Sequence, residues 1–473
     1  MLPLLRRLPI TRKQIFFFSI VFLLALSVRF LTFNFLRQHL DDPGWFQSGS
    51  YRVFEKGANE ILNGTGRIFW IDDPTRTDLI QYPPAYPWII ASVYRLSGNG
   101  SPYAVQRVQA PLDLIISFCL IVGLAATAYG SRVAMATSVM VALSPLLAFV
   151  GVAPSSDAPC AWFVIAGLWL LLIAARRASV WWALAAGVVL GIACWLRVNP
   201  LYLSPFWAMA LLLFVRASWK VRTMMGGAVV LGTLLMISPI VIRNYLVFPD
   251  FTPTGGTIGA NLWEGLGETE LGRSQGFAVS DQAMIEHERI KMGISPDVPF
   301  EAMWPDGIRR ERERTREALA FIKQHPVWYA GVMFRRMWGM LKVAGAPNPY
   351  YGTSGINLTS RKCLPPTWQG GVLAGAVNVL GMLQSVARYL LLPLAACGLW
   401  LGWRKEFLPT ILFIATIFYY LVPGTIAHTE IRYVIGLHWL LPIFAGVTIA
   451  SIATWLKAHG RRKATPATNN HPA

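Results

Sequence analysis

The stretch "HTEIRY" at 428–433 crowds His428, Glu430, Arg432 and Tyr433 between two apolar runs, 408–422 and 433–456. A helix start exposes free backbone N–H groups and partial positive charge, so an Arg placed there makes an anion site. Phosphate is the natural guest, because the planar guanidinium grips two oxygens at once. Two further stretches offer the same residue types at the ends of apolar runs. "CWLRVNP" brings out Arg197 and Asn199, and "PIVIRNYLVF" brings out Arg243, Asn244 and Tyr245. A cation at a helix C-terminus gains roughly 0.3–1 kcal/mol from the dipole, which explains either Arg taken alone. Carboxylates complete the inventory. Asp41 and Asp42 directly follow the first apolar run, where they are either solvated helix-end groups or part of a site. In "VAPSSDAPCAW", Ser156 and Asp157 either cap the next helix, with Pro159 in its first turn, or serve a polar pocket.

These groups need a scaffold, and the composition names it. Of 473 residues, 54% are hydrophobic and only 14% charged, and apolar stretches near twenty residues recur. An all-α polytopic membrane protein is the expected class, since barrel strands would be short and alternating. Windows near 14–36, 109–129, 133–151, 159–175, 180–196, 199–215, 223–242, 386–402, 408–422 and 433–456 predict about ten spans. The first window is too long for a signal-peptide core and lacks a small-residue cleavage site, so it is expected to remain as a helix. The chain thus reads as a single membrane domain over 1–460, with outer segments 37–107 and 243–385 and a disordered cytoplasmic tail over 461–473.

The net charge of +18 would suit nucleic acid in a soluble protein, but its placement accounts for it without such a partner. Connections on one side carry Arg132, Arg176, Arg177, Arg216, Lys220, Arg222, Arg404 and Lys405, and the tail adds Lys457, Arg461, Arg462 and Lys463. The short connections opposite carry only Arg197 and Arg432. By the positive-inside rule both termini are cytoplasmic, and all the groups above face outward. The cytoplasmic connections leave no room for a nucleotide-binding domain, and no phosphate-binding Gly-rich loop stands in a suitable context. The five Cys are scattered, without metal-ligand spacing. The outer loop 37–107 predicts two surface helices. One carries Tyr51, Phe54, Ala58 and Ile61–Leu62 on one face, and the other turns Trp88, Ile89, Val93 and Leu96 inward behind Pro83, Pro84 and Pro87.

Six elements in this order resemble the GT-C glycosyltransferases, in particular the family 39 or ArnT-like enzymes that use polyprenyl-phosphate sugars. They are the first loop with its surface helices, "PP-x-YP" at Pro83–Pro87, "SSDAP" at 155–159, "RNYLVFPDFTPTGGTIGANLWEG" at 243–265, "ALAFIKQHPVWYAGVMFRR" at 318–336 and "HTEIRY". The resemblance implies a sugar donor held on an isoprenoid phosphate, a lipid, glycan or protein acceptor, an extracytoplasmic site in a bacterial inner membrane, and inversion at the anomeric carbon. An acceptor hydroxyl then needs a carboxylate base, and cations on the lipid phosphate make a separate acid unnecessary. By resemblance the base comes from the first loop, as Asp42 with Asp41 beside it, while Asp157 orients the acceptor or the base. Arg243, Arg432 and Tyr433 would hold the phosphate, with His428, Tyr82, Asn244 and Arg197 also in contact with substrate.

Two departures stand out. The family's acid lies about four residues ahead of an aromatic on the first surface helix, a register that here gives Ser50 before Phe54, so Glu55, Asp72 and Asp73 remain as reserves. Gln81–Tyr82 replaces the Glu-Lys that precedes the paired prolines in ArnT-like members, which speaks against aminoarabinose transfer to lipid A. No cofactor is expected, although Asp41, Asp42 and Asp157 could bind a divalent cation. The competing class is a secondary transporter or lipid-linked-sugar flippase. Such proteins place charges near the bilayer midplane and often show internal repeats. Here only Arg29 and Asp113 sit well inside predicted helices, and no repeat is visible. An O-antigen ligase or polymerase would share the substrates but not this loop order.

Overall fold

The computed structural model describes residues 11–41, 50–64, 71, 73–341, 358–428 and 431–464. Among them the regular structure is helical, apart from one isolated bridge between Glu301 and Trp304. The apolar helices are α1 (Arg12–Arg37), α4 (Pro102–Tyr129), α5 (Ser131–Leu143), α6 (Pro145–Val152), α7 (Asp157–Arg177), α8 (Val180–Leu196), α9 (Leu203–Phe214), α10 (Trp219–Val247), α16 (Gly371–Lys405), α17 (Phe407–Leu421), α18 (Ile435–His438) and α19 (Leu441–Ala464). Between them lie α2 (Ser50–Leu62), α3 (Ala85–Ser97), α11 (Ile258–Gly267), α12 (Glu270–Ser274), α13 (Asp281–Lys291), α14 (Gly307–Gln324) and α15 (Pro326–Leu341).

Every predicted apolar window is helical, but not all ten are single helices of spanning length. Among the described residues, seven helical segments are long and apolar enough to cross a bilayer, and the bent pair α5–α6 makes an eighth if counted as one span. Its 65° bend has a local cause. Pro145 lacks an N–H and drives Ser144 into an extended conformation. Ser144 then caps the new helix, its hydroxyl accepting from the Leu147 N–H at 3.3 Å. The windows at 180–196 and 199–215 fold as helices of 17 and 12 residues, short of the roughly 20 needed to span upright. At the other extreme α16 runs for 35 residues, so the last part of the predicted outer segment 243–385 belongs to a membrane helix. The chain is an integral membrane protein, and large apolar side chains such as Phe16, Leu23, Leu231 and Leu234 stand exposed on its helices.

Small residues let the short helices pack at backbone distance. A Cβ on Gly187 of α8 would strike the Val229 carbonyl of α10, and one on Gly232 would strike the Leu184 carbonyl. The Thr233 hydroxyl donates across the same contact to the Gly187 carbonyl at 3.1 Å. Such an interface tolerates no added bulk. Gly187→Val is therefore expected to cost about 1–3 kcal/mol, read as a lower thermal midpoint in detergent. Gly227→Ala, where a Cβ meets open space, should leave the midpoint unchanged.

The two surface helices pack on each other. Tyr51, Phe54 and Ala58 of α2 are buried as expected, with Phe54 edge-on to Tyr86 of α3 at 5.0 Å. The face of α3 differs from the expectation. Tyr86, Ile90, Val93 and Tyr94 point inward, while Trp88, Ile89 and Leu96 are exposed. The helix is apolar on both sides, so its sequence pattern did not reveal which side meets α2 and α4. Among α11–α15 a second core forms around Trp263, Leu266, Phe277 and Phe321. Beneath it Glu288 accepts from Arg310 at 3.0 Å and from Arg314 at 2.7 Å, and Arg314 also donates to Glu311 at 3.1 Å. The Glu311 carboxylate in turn accepts from the Gly259 and Ala260 N–H groups, fixing the first turn of α11.

Candidate active site

Asp157 opens α7, and its side chain is 1% exposed. It does not cap the helix: neither its side chain nor that of Ser156 accepts from the first-turn N–H groups. Its partner comes from the end of α8. The extended backbone at Arg197 (φ −150°, ψ 143°) turns the guanidinium toward α7, with Nη1 2.8 Å from Asp157 Oδ1. Arg197 Nε also donates to Asn199 Oδ1 at 3.3 Å, and Asn199 Nδ2 donates to the Tyr433 carbonyl at 3.3 Å. The Tyr419 hydroxyl donates to the Asn199 carbonyl. The same guanidinium lies 5.5 Å from the centre of the Tyr433 ring, and Arg432 is near enough to act on it as a like charge. Residues far apart in sequence, at 157, 197–199 and 432–433, thus meet at one end of the bundle. A buried pair of this kind is costly to break from one side, because the remaining charge has neither water nor partner.

Two residues that sequence reasoning missed complete this wall. The Tyr86 hydroxyl of α3 donates to Gln109 Oε1 of α4 at 2.8 Å, and Gln109 Nε2 donates to the Ala153 carbonyl at 2.7 Å. Burial, and then the nearby Asp157 carboxylate, push the Tyr86 phenol well above its usual range, so it stays a proton donor. Tyr86 lies within the Pro83–Pro87 element, which was a signal. Gln109 gave none, being one polar residue at the edge of an apolar window.

α11 supplies the other side. Asn261, Glu264 and Glu268 share one face at helical spacing. The Tyr433 hydroxyl donates to Asn261 Oδ1 at 3.0 Å. His428 sits between the two acids, Nδ1 2.9 Å from Glu268 Oε1 and Nε2 3.7 Å from Glu264 Oε2, with its ring 6.1 Å from that of Tyr433. Arg336 of α15 closes the group. It is 4% exposed, and it donates to Glu268 Oε2 at 3.1 Å, to the Thr425 carbonyl at 3.1 Å and to the Gly265 carbonyl. The expected helix start at Arg432 is corrected here. Ile431–Val434 is a 3₁₀ turn followed by α18, and the long helix α19 begins only at Leu441. Arg432 is held by that turn rather than at the N-terminus of a long helix.

The remaining expected residues are more scattered. Asp41 is exposed in the turn after α1, and Asp42 and Asp72 lie outside the described residues. Glu55 accepts from the Tyr94 hydroxyl at 2.6 Å, and Tyr94 in turn meets the Tyr51 hydroxyl at 2.9 Å. Asp73 shapes a local turn, accepting from the Thr75 N–H at 2.8 Å. Tyr82 stacks obliquely on Phe54 at 4.7 Å. Arg243 is buried at the end of α10, where Nε donates to Asn244 Oδ1 at 2.6 Å and Asn244 Nδ2 donates to the Thr252 carbonyl at 3.0 Å. Among the described residues, no group of three or more His, Cys, Asp or Glu is spaced to hold a metal ion.

Comparison with known proteins agrees with this architecture. The family profile described as dolichyl-phosphate-mannose-protein mannosyltransferase matches residues 81–242, a stretch that includes Tyr86, Asp157 and Arg197. No curated protein sequence matches the chain. Among solved structures, the Archaeoglobus fulgidus oligosaccharyltransferase in complex with Zn and sulfate superposes at a TM-score of 0.50 and 13% identity, covering 96% of this chain and 51% of that one. ArnT from Cupriavidus metallidurans bound to undecaprenyl phosphate gives 0.47 and 16%, covering 96% and 66%. The chain spans about half the length of the archaeal enzyme. The helical fold of the chain is similar to that of the archaeal oligosaccharyltransferase, and its residues 81–242 match the mannosyltransferase profile.

Proposed function

We propose that the protein is a membrane glycosyltransferase that moves a sugar, with inversion, from a polyprenyl-phosphate donor to an acceptor hydroxyl on the extracytoplasmic face. The observation that carries this reading is the meeting of Asp157, Arg197, Arg432 and Tyr433, which come from three separate parts of the chain. Guanidiniums at one membrane-facing rim suit the oxygens of a lipid phosphate, whose negative charge grows as the sugar departs. In this reading Arg432 and Arg243 bear on the phosphate, and Tyr433 fixes the approach of Arg197. Asp157 holds Arg197 in place and orients the acceptor. The base that takes the acceptor proton is Asp42 of the first loop, with Asp41 as its neighbour. Its task is geometric as much as chemical, because holding hydroxyl and anomeric carbon together removes much of the barrier. The extracytoplasmic orientation rests on the basic connections Arg132, Arg176–Arg177 and Arg404–Lys405, which lie at the opposite helix ends from this group.

The experiment is turnover by purified protein in nanodiscs supplied with polyprenyl-phosphate mannose, following release of the lipid phosphate. Arg432→Ala is expected to lower kcat/KM by about 10²–10³-fold, the usual loss for one electrostatic stabiliser of a developing anion. Unchanged turnover in both Arg432→Ala and Asp42→Asn would remove the assignment. Donor-independent movement of lipid-linked sugar across liposomes would favour a transporter instead.

A further inference from the structure

A cavity of about 470 Å³ opens between α11–α12 and α15, lined in part by Glu268, the carboxylate that also contacts His428. Its walls include Glu268, Glu270, Trp328, Val332, Arg335 and Arg336. We infer that this cavity binds a sugar ring of the acceptor, carried at the bilayer surface. The inference rests on the transfer reading above and names where the acceptor is recognised.

Size is the first argument. The volume falls within the range of roughly 300–1,000 Å³ typical of small-ligand sites and is too small for a folded peptide. The second is chemistry. A sugar hydroxyl both donates and accepts, so it is matched by a wall that offers carboxylates beside guanidiniums. Glu268 and Arg336 are already locked together at 3.1 Å, and Arg336 is anchored by backbone carbonyls, so this part of the wall is set before any ligand arrives. Glu268 and Glu270 are matched in number by Arg335 and Arg336, so the formal charge of the lining is balanced, which suits a neutral sugar better than a bare phosphate. Trp328, partly exposed, supplies an apolar ring for the C–H face of a pyranose, and Phe321 holds the indole edge-on at 5.8 Å.

The third argument is position. Residues 328, 332, 335 and 336 share one face of α15, at helical spacing. The adjacent face is an apolar stripe of Val327, Phe334 and Trp338, exposed by 86%, 73% and 59%. A helix with that stripe lies against lipid, which sets the cavity at the height of the headgroups. Finally, Glu268 is a common wall. It lines the cavity and also holds His428, and His428 leads through Tyr433 to Arg197 and Asp157. A sugar seated here would sit on one approach to that group.

The test is saturation-transfer NMR on the purified protein, without donor, using the methyl glycosides of glucose, mannose, galactose and N-acetylglucosamine. At least one glycoside should receive saturation from the wild type. Its affinity should fall about tenfold in Trp328→Ala and in Glu270→Gln, with the thermal midpoint retained. Competition by a nanodisc-embedded glycolipid bearing the same sugar identifies a lipid-borne acceptor, and absence of competition identifies a free glycan. Equal affinity in wild type and both variants, or no transfer from any of the four, overturns the inference. Because no donor is present, the outcome separates from turnover. Donor cleavage with no glycoside signal retracts the sugar site alone. A glycoside signal with no donor cleavage retracts the transfer reading and leaves the site as one for sugar binding.

Discussion

Asp157→Asn is expected to lower turnover by about 10²-fold, through the guanidinium it leaves behind as much as through the acceptor it no longer orients. Arg197 is only 11% exposed and sits 2.8 Å from the carboxylate. Without that charge it either swings away from Tyr433 or stays as a cation with little solvent, at a cost of about 3–5 kcal/mol. The two consequences separate in a double variant. Asp157→Asn/Arg197→Gln removes both charges, so thermal stability should return to within about 1 kcal/mol of the wild type while turnover stays low. Stability is read by thermal unfolding in detergent, and turnover by release of lipid phosphate. If the double variant turned over like the wild type, the pair would be only a structural pin.

The second large effect lies deeper. Arg29 of α1 donates through Nε and Nη2 to Asp113 Oδ2 of α4, at 3.2 and 3.1 Å, and Trp162 Nε1 of α7 donates to Oδ1 at 2.8 Å. Both charged side chains are buried, and Gly151 of α6 is packed so closely that a Cβ there would strike the Asp113 carboxylate. Four helices are thus registered at one point, one of them leading to Asp41 and another opening on Asp157. Arg29→Met or Asp113→Leu alone should destabilise by about 3–5 kcal/mol, because each strands a charge in the membrane core. The double variant Arg29→Met/Asp113→Leu should recover most of that loss and keep turnover. Thermal midpoints of the four proteins form the cycle that decides it. A double variant as unstable as the sum of the singles would show that the charges act separately. Their mutual pairing also removes the midplane charge that a transporter reading would have used.

Much of this was legible in the sequence, for identifiable reasons. Apolar length placed every membrane helix, because backbone satisfaction in lipid leaves few alternatives. Pro145 and the 12-residue α9 show the limit: hydropathy reports that a stretch is apolar, not that it crosses in one piece. Asp157 and Arg197 were each visible, yet not as partners, since 40 positions and a helix hairpin lie between them. His428 was visible as a candidate substrate contact but without its partners, since Glu264 and Glu268 lie more than 150 residues earlier on α11. α3 misled because both of its faces are apolar, and contacts from other elements, with Phe54 and Tyr51 of α2 and Gln109 of α4, decide which one turns inward. Tyr86 was quoted within its proline element without a role, and the role came from Gln109 on a different helix.

The account divides the labour between cations that hold a lipid phosphate and a carboxylate that activates the acceptor. Equilibrium binding of undecaprenyl phosphate to wild type, Arg432→Ala and Asp42→Asn tests that division most directly. The expected result is affinity lowered about 10–100-fold in Arg432→Ala, the loss of one charge-assisted contact to phosphate, and kept within about twofold in Asp42→Asn. Wild-type affinity in Arg432→Ala, or an equal loss in both variants, would contradict it.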